Sequence, residues 1–289
     1  MSTVVIRLSS LGDIVLSASI TQALAPVTYI TDSKYREIVS HFPGVDTVCV
    51  PTEDPLPTTA NKIVDLHSNW RSFWIRKRIK GPTHAIKRFD WLRRKRVWLK
   101  TKDVPPSVMM RYAAAAGVKT SALPWLSRNN VGSSLVICPT AQHRTKIWPM
   151  FKYIEIAQKW SGGVIVLGGP SERLFINQMV DAIGPKARGI SELGFTQTIL
   201  AMNDAKVAIG NDSGLTHLCR AFGIPTLVIM GPTTAQDGFW PHASSTAALP
   251  LYCRPCSRHG GPECPIGDHY CMENLTVSDV WQKLVALQP

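Results

Sequence analysis

The chain has 289 residues, enough for two domains that each bury a core. Its 45% hydrophobic and 18% charged residues exclude wholesale disorder, and no apolar run approaches the ~20 residues needed to cross a bilayer. The net charge of +12 implies affinity for polyanions without bearing on fold.

Arg7 and Asp13 interrupt the apolar character of the N-terminus, so no signal peptide is expected. The expected compartment is the cytoplasm, where thiols stay reduced. Val4-Val5-Ile6 predicts a short buried strand, Ser9 to Asp13 a polar turn, and Ile14 to Ala25 a helix stopped by Pro26. Strands follow at Val27–Thr31, Thr47–Val50 and Ile63–Leu66, with a helix over Ser33–Phe42. Such alternation indicates a parallel α/β layer.

From Trp70 to Lys102 the composition changes to 13 Lys and Arg against one acid, Asp90, interleaved with six aromatic residues. Two functional readings fit: docking on anionic lipid or a phosphorylated lipid acceptor, and stacking with phosphate contacts on single-stranded nucleic acid. An ordinary solvated helix surface is the third reading. No RNA-binding signature is present, so the lipid-linked glycan is favoured and no nucleic-acid partner is expected. Lys119 to Ser134 lacks periodicity and is the expected linker, giving domains of 1–125 and 126–289.

Beyond it the alternation restarts. Strands are expected at Ser134–Cys138, Val164–Leu167, Ala205–Ile209 and Thr226–Met230, and helices at Met150–Trp160, Ser171–Ile183, Thr196–Asn203 and Ser213–Phe222, with a closing helix at Val277–Leu287. This is a doubly wound unit whose ligand loops lie at strand carboxyl ends.

One such loop, Gly210-Asn211-Asp212-Ser213-Gly214-Leu215-Thr216-His217, joins a buried strand directly to a helix. Unpaired N–H groups and the helix dipole favour an anion there, although Asp212 or Ser213 also reads as a plain N-cap and His217 as a core histidine. Two further loops, around Thr140 to Lys146 and Gly168 to Glu172, are expected on the same sheet edge. A lysine and several helix starts suit a diphosphate, and Glu172 can accept hydrogen bonds from ribose. Cys253, Cys256, Cys264 and Cys271 admit a structural metal, disulfides or packed thiols, and only the first pair has ligand spacing.

The segments Ile6-Arg7-Leu8-Ser9-Ser10-Leu11-Gly12-Asp13, Lys146-Ile147-Trp148-Pro149, Gly210 to His217 and Gly231-Pro232-Thr233, in that order, resemble glycosyltransferase family 9, the heptosyltransferases of lipopolysaccharide biosynthesis. The resemblance implies a GT-B fold of two Rossmann-like doubly wound domains facing a cleft. It also implies an ADP-heptose donor in the C-terminal domain, a lipid-linked inner-core acceptor at the cytoplasmic membrane face, and inverting transfer without a metal or cofactor. By the same resemblance Asp13 is the general base and Lys146 neutralises the leaving diphosphate. Glu172, Asp212, Ser213, Gly214, Leu215 and His217 are then donor contacts. Thr140, on the neighbouring edge loop, is expected beside them although its loop departs from the family's, and Ser9, Ser10 and Gly12, next to Asp13, are expected on the acceptor side. A helix cap remains the simple alternative for Asp13. A Rossmann oxidoreductase is disfavoured because no Gly-x-Gly-x-x-Gly follows the first strand. A nucleic-acid- or polyanion-binding α/β protein without transferase activity, built around the basic segment, is the remaining alternative.

Overall fold

The computed structural model describes residues 2–191, 195–237 and 245–287. The chain divides into two compact units: Met1–Phe89 with Pro106–Ser127, and Asp90–Pro105 with Arg128–Pro289.

The first unit is built from β1 (Thr3–Ile6), α1 (Leu11–Thr21), β2 (Val27–Ile30), α2 (Arg36–Ser40), β3 (Val45–Cys49), β4 (Lys62–Asp65), α3 (Trp70–Lys77) and β5 (Thr83–Ala85). The next helix, α4 (Asp90–Leu99), belongs to the second unit, and α5 (Val108–Ala116) returns to the first. Its strands run parallel in the order β3-β2-β1-β4-β5. Val4, Val5 and Ile6 of β1 are fully buried, as a central parallel strand covered on both faces requires. Burial of α1 is also nearly complete from Ile14 to Thr21. Its serines are tolerated because Ser17 and Ser19 return their hydroxyls to Ile14 O and Leu16 O at 2.7 Å.

The second unit contains β6 (Ser134–Cys138), α6 (Met150–Lys159), β7 (Val164–Leu167), α7 (Arg173–Ile183), β8 (Ala187–Ile190), α8 (Phe195–Asp204), β9 (Ala205–Asn211), α9 (Gly214–Ala221), β10 (Thr226–Ile229), β11 (Thr246–Ala247), α10 (Tyr270–Glu273) and α11 (Val277–Ala286). Its parallel sheet has the order β11-β10-β9-β6-β7-β8. Leu135, Ile137, Val164, Val166, Val207, Ile209, Leu227 and Ile229 pack with Trp148, Tyr153, Met272 and Leu284 into its core.

Both sheets are doubly wound, with the strand order reversing beside the first strand of each unit. At such a switch point, adjacent connections leave toward opposite faces and open a crevice at the strand carboxyl ends. In the first unit it lies between β1 and β4; in the second, between β6 and β9. Among the described residues no helix is long and apolar enough to cross a membrane.

Candidate functional site

In the first unit the switch point carries Asp13. Strand β1 runs into Arg7 and the turn of Ser9 and Ser10, and α1 starts at Leu11, so Asp13 falls in its first turn behind the buried Gly12. Ser10, not Asp13, holds the N-cap position and makes no side-chain cap bond; its hydroxyl donates to Asp13 Oδ2 at 2.9 Å. The same oxygen meets Arg7 Nη2 at 2.5 Å, and Tyr112 on α5 donates to Oδ1 at 3.2 Å. Arg7 is itself anchored by donating to Leu66 O at 2.6 Å. Burial would lower the Arg7 pKa, but Tyr112 and Asp13 outweigh it and hold the guanidinium above its usual value. Ser9 is half-buried in the same turn. Asp13 is thus an oriented carboxylate that keeps 17% side-chain exposure, enough for a hydroxyl to reach it.

In the second unit the switch point sets the loop after β6 beside the turn after β9. Asn211, fully buried, ties them together: its Nδ2 donates to Pro139 O at 2.6 Å. Its Oδ1 accepts from Trp148 N at 3.0 Å and from Tyr153 Oη at 2.9 Å. Asp212 follows, and it is no cap. Its Oδ2 meets Lys146 Nζ at 2.6 Å and accepts from Thr233 Oγ1 at 3.0 Å, while Oδ1 lies 3.5 Å from His217 Nε2. Burial pushes the Asp212 carboxyl up, but Lys146 first and then His217 overcome that and hold it well below the usual range. The carboxylate therefore stays ionised beside the lysine.

Ser213 occupies the N-cap of α9 with no side-chain cap bond; its hydroxyl lies 3.2 Å from Thr216 Oγ1, which donates to Asn211 O at 2.6 Å. The first N–H groups of α9, at Gly214 and Leu215, are left with no partner inside the helix. Ser213, Gly214 and Leu215 are all half-buried. Gly210 is required by close approach, since a Cβ there would stand 2.6 Å from Cys138 Cβ and 2.8 Å from Cys138 O. On the β7 side Glu172 Oε2 accepts from Thr140 Oγ1 at 2.9 Å and from Gly169 N at 2.6 Å. The Lys146 turn is pinned from the cysteine-bearing segment: Thr145 Oγ1 and Gly261 exchange two bonds of 3.0 and 2.9 Å, and His269 Nε2 lies 2.8 Å from Thr145 O.

The structure thus brings Thr140, Glu172, Lys146, Asp212, Ser213, Gly214, Leu215 and His217 to one edge of the second sheet, and Ser9, Ser10, Gly12 and Asp13 to the switch point of the first. Sequence reasoning missed Tyr112, Asn211 and Thr233 as members. Asn211 and Thr233 sit inside quoted motifs, where an amide and a hydroxyl at strand ends were the available signal; Tyr112 had none. The four C-terminal cysteines are free thiols, and burial raises the pKa of Cys271 to about 11. Among the described residues no group of three or more His, Cys, Asp or Glu is arranged to hold a metal ion.

Two doubly wound units, one with an oriented carboxylate at its switch point and the other with a helix start beside a lysine, are the parts of a protein of the GT-B fold class. The model of glycosyltransferase family 9 (heptosyltransferase) matches residues 62–265, and the chain belongs to that family. Lipooligosaccharide heptosyltransferase 2 of Campylobacter jejuni serotype O:6 is 27% identical over 151 residues, 49% of this chain and 47% of that one. The chain spans about half the length of the curated relatives it matches. Among solved structures, a family 9 glycosyltransferase from Veillonella parvula aligns with TM-score 0.74 at 15% identity, covering 99% of this chain and 96% of that one. E. coli heptosyltransferase WaaC with ADP-2-deoxy-2-fluoro heptose gives 0.69 at 14%, covering 99% of both. The iron-containing dodecameric glycosyltransferase TibC of enterotoxigenic E. coli gives 0.65 at 15%, covering 99% and 75%. These likenesses establish the GT-B fold.

Proposed function

We propose that the chain transfers a heptose from ADP-heptose to an inner-core hydroxyl of a lipid-linked lipopolysaccharide acceptor, with inversion and without a metal, at the cytoplasmic face of the membrane. The first unit takes the acceptor and the second the donor. The observation that carries this reading is the Lys146–Asp212 pair, closed at 2.6 Å beside the open start of α9. A cation held in place next to unpaired N–H groups can take up the charge that develops on a departing diphosphate. WaaC holding an ADP-heptose analogue on the same fold supports the choice of donor.

In the proposed displacement an acceptor oxygen attacks the anomeric carbon as its proton passes to Asp13. The bond from that carbon to the diphosphate oxygen breaks, and its electron pair leaves with ADP. Asp13 is oriented for this by Arg7, Ser10 and Tyr112. Lys146 and the α9 start stabilise the leaving group, and Glu172, fixed by Thr140 and Gly169, faces the donor's ribose.

Calorimetric titration with ADP alongside a transfer assay tests the assignment. Asp13→Ala is expected to lose transfer and keep ADP affinity, whereas Lys146→Ala loses both. Normal turnover by Asp13→Ala sinks the base, and binding of NADH in preference to ADP sinks the donor site. Turnover abolished by a chelator and restored by iron would overturn the metal-free reading.

A further inference from the structure

Helix α4 is inside out. Positions Arg93 and Arg96 are the buried ones, at 5% and 3% exposure, while Trp91, Trp98 and Leu99 stand 65%, 81% and 68% exposed. The buried side is a set of polar ties that fixes the helix on the second unit. Arg93 Nη2 donates to Arg258 O at 2.6 Å, and Arg96 donates to Asp103 O at 3.2 Å and to Thr234 Oγ1 and Gln236 Oε1 at 3.4 Å. Just past the helix, Lys100 Nζ donates to Cys253 O and Pro255 O at 2.7 Å. The outward face therefore cannot turn inward without breaking these bonds.

At 100° per residue Trp91, Arg94, Lys95 and Trp98 share that outward face, with Leu99 at its margin. The segment that follows exposes Lys102 and, at 53%, Val104. Tryptophan and aliphatic side chains interleaved with cations are what a helix lying in the head-group layer of a bilayer presents. The rings sit at the polar boundary, the aliphatic groups enter the acyl region, and the cations meet anionic head groups. A single-stranded nucleic acid would use the rings and cations but leave Leu99 and Val104 idle. The first unit repeats the pairing on α3, where Trp70 and Trp74 are 73% and 63% exposed beside Arg71, Lys77 and Arg78.

We infer that residues 90–105 form a docking surface for an anionic phospholipid bilayer. The inference deepens the proposed function, because a bilayer is where a lipid-linked acceptor resides, but the surface itself needs neither donor nor glycan.

Flotation of the full chain with glycan-free vesicles of phosphatidylethanolamine and phosphatidylglycerol tests it. The chain is expected to float with these vesicles, to be released by salt, and to stay behind with phosphatidylcholine. The double variants Trp91→Ser/Trp98→Ser and Arg94→Glu/Lys102→Glu should each reduce the floated fraction about tenfold at an unchanged melting temperature. Failure of the parent to float, flotation of both variants like the parent, or loss of oligonucleotide binding with vesicle binding intact would each overturn the inference. Since the vesicles lack acceptor and donor, a wrong assignment of the transfer reaction would leave this result untouched, and ADP titration would expose that error separately.

Discussion

Tyr112 donates its hydroxyl to Asp13 Oδ1 at 3.2 Å from a helix 99 positions further along the chain. With Arg7 on the other carboxylate oxygen, the phenol holds Asp13 from a side that no local contact of α1 reaches. Removing it leaves the charge pair intact and loosens only the orientation. Tyr112→Phe is therefore expected to lower kcat about tenfold, the worth of one hydrogen bond to a charged group, with ADP affinity unchanged. Steady-state kinetics with calorimetry checks this; an unaltered kcat rejects the positioning role.

Lys146 is expected to matter for folding as well as for binding. Lys146 and Asp212 are only 14% and 7% exposed, so Lys146→Met strands a buried carboxylate at a cost of about 3 kcal/mol. Adding Asp212→Asn should restore most of the lost melting temperature while transfer stays lost. A double variant no more stable than the single would mean that the pair is not the source of the effect.

The same carboxylate gives an acid dependence. Its folded pKa lies below the unfolded one, so Asp212 contributes stability that is fully present above the ordinary aspartate value of about 3.9 and is lost as pH falls toward the folded pKa. Thermal melts taken downward from neutral pH should fall more steeply below about pH 4 for the parent than for Asp212→Asn. Parallel curves would remove Asp212 from the account.

Gly210→Ala should disable the donor site from behind. The added methyl meets the Cys138 backbone oxygen at 2.8 Å, and neither β6 nor β9 can move freely inside a six-stranded sheet. A loss of about 1–3 kcal/mol is expected, with weakened ADP binding. Denaturant unfolding with parallel ADP titration tests it, and a silent substitution would show that the two strands give.

Much of this architecture was legible in sequence because buried parallel strands are short apolar runs closed by turns, and both units are made of them. Val4–Ile6, Ser134–Cys138 and Val164–Leu167 stand out for that reason. The edge strand β5 did not, since Thr83-His84-Ala85 is exposed throughout and carries no apolar run. Helix α4 read as a basic surface, and nothing in its composition signals that two of its arginines face inward, because burial there is compensated by backbone carbonyls that sequence does not display. The donor turn showed in its glycines and helix start. Its supports were hidden: Thr233 and Asn211 act on partners 21 to 72 positions away.

Asn211 has a consequence for how a donor is received. With its amide spent on Pro139, Trp148 and Tyr153, the strand end is locked to the protein interior before any nucleotide arrives. Ordering entropy at this turn is thus lost during folding rather than on ligand capture. Backbone amide exchange at residues 210–212 should consequently be as slow in the free protein as in the ADP-bound one, the signature of a mould rather than a glove.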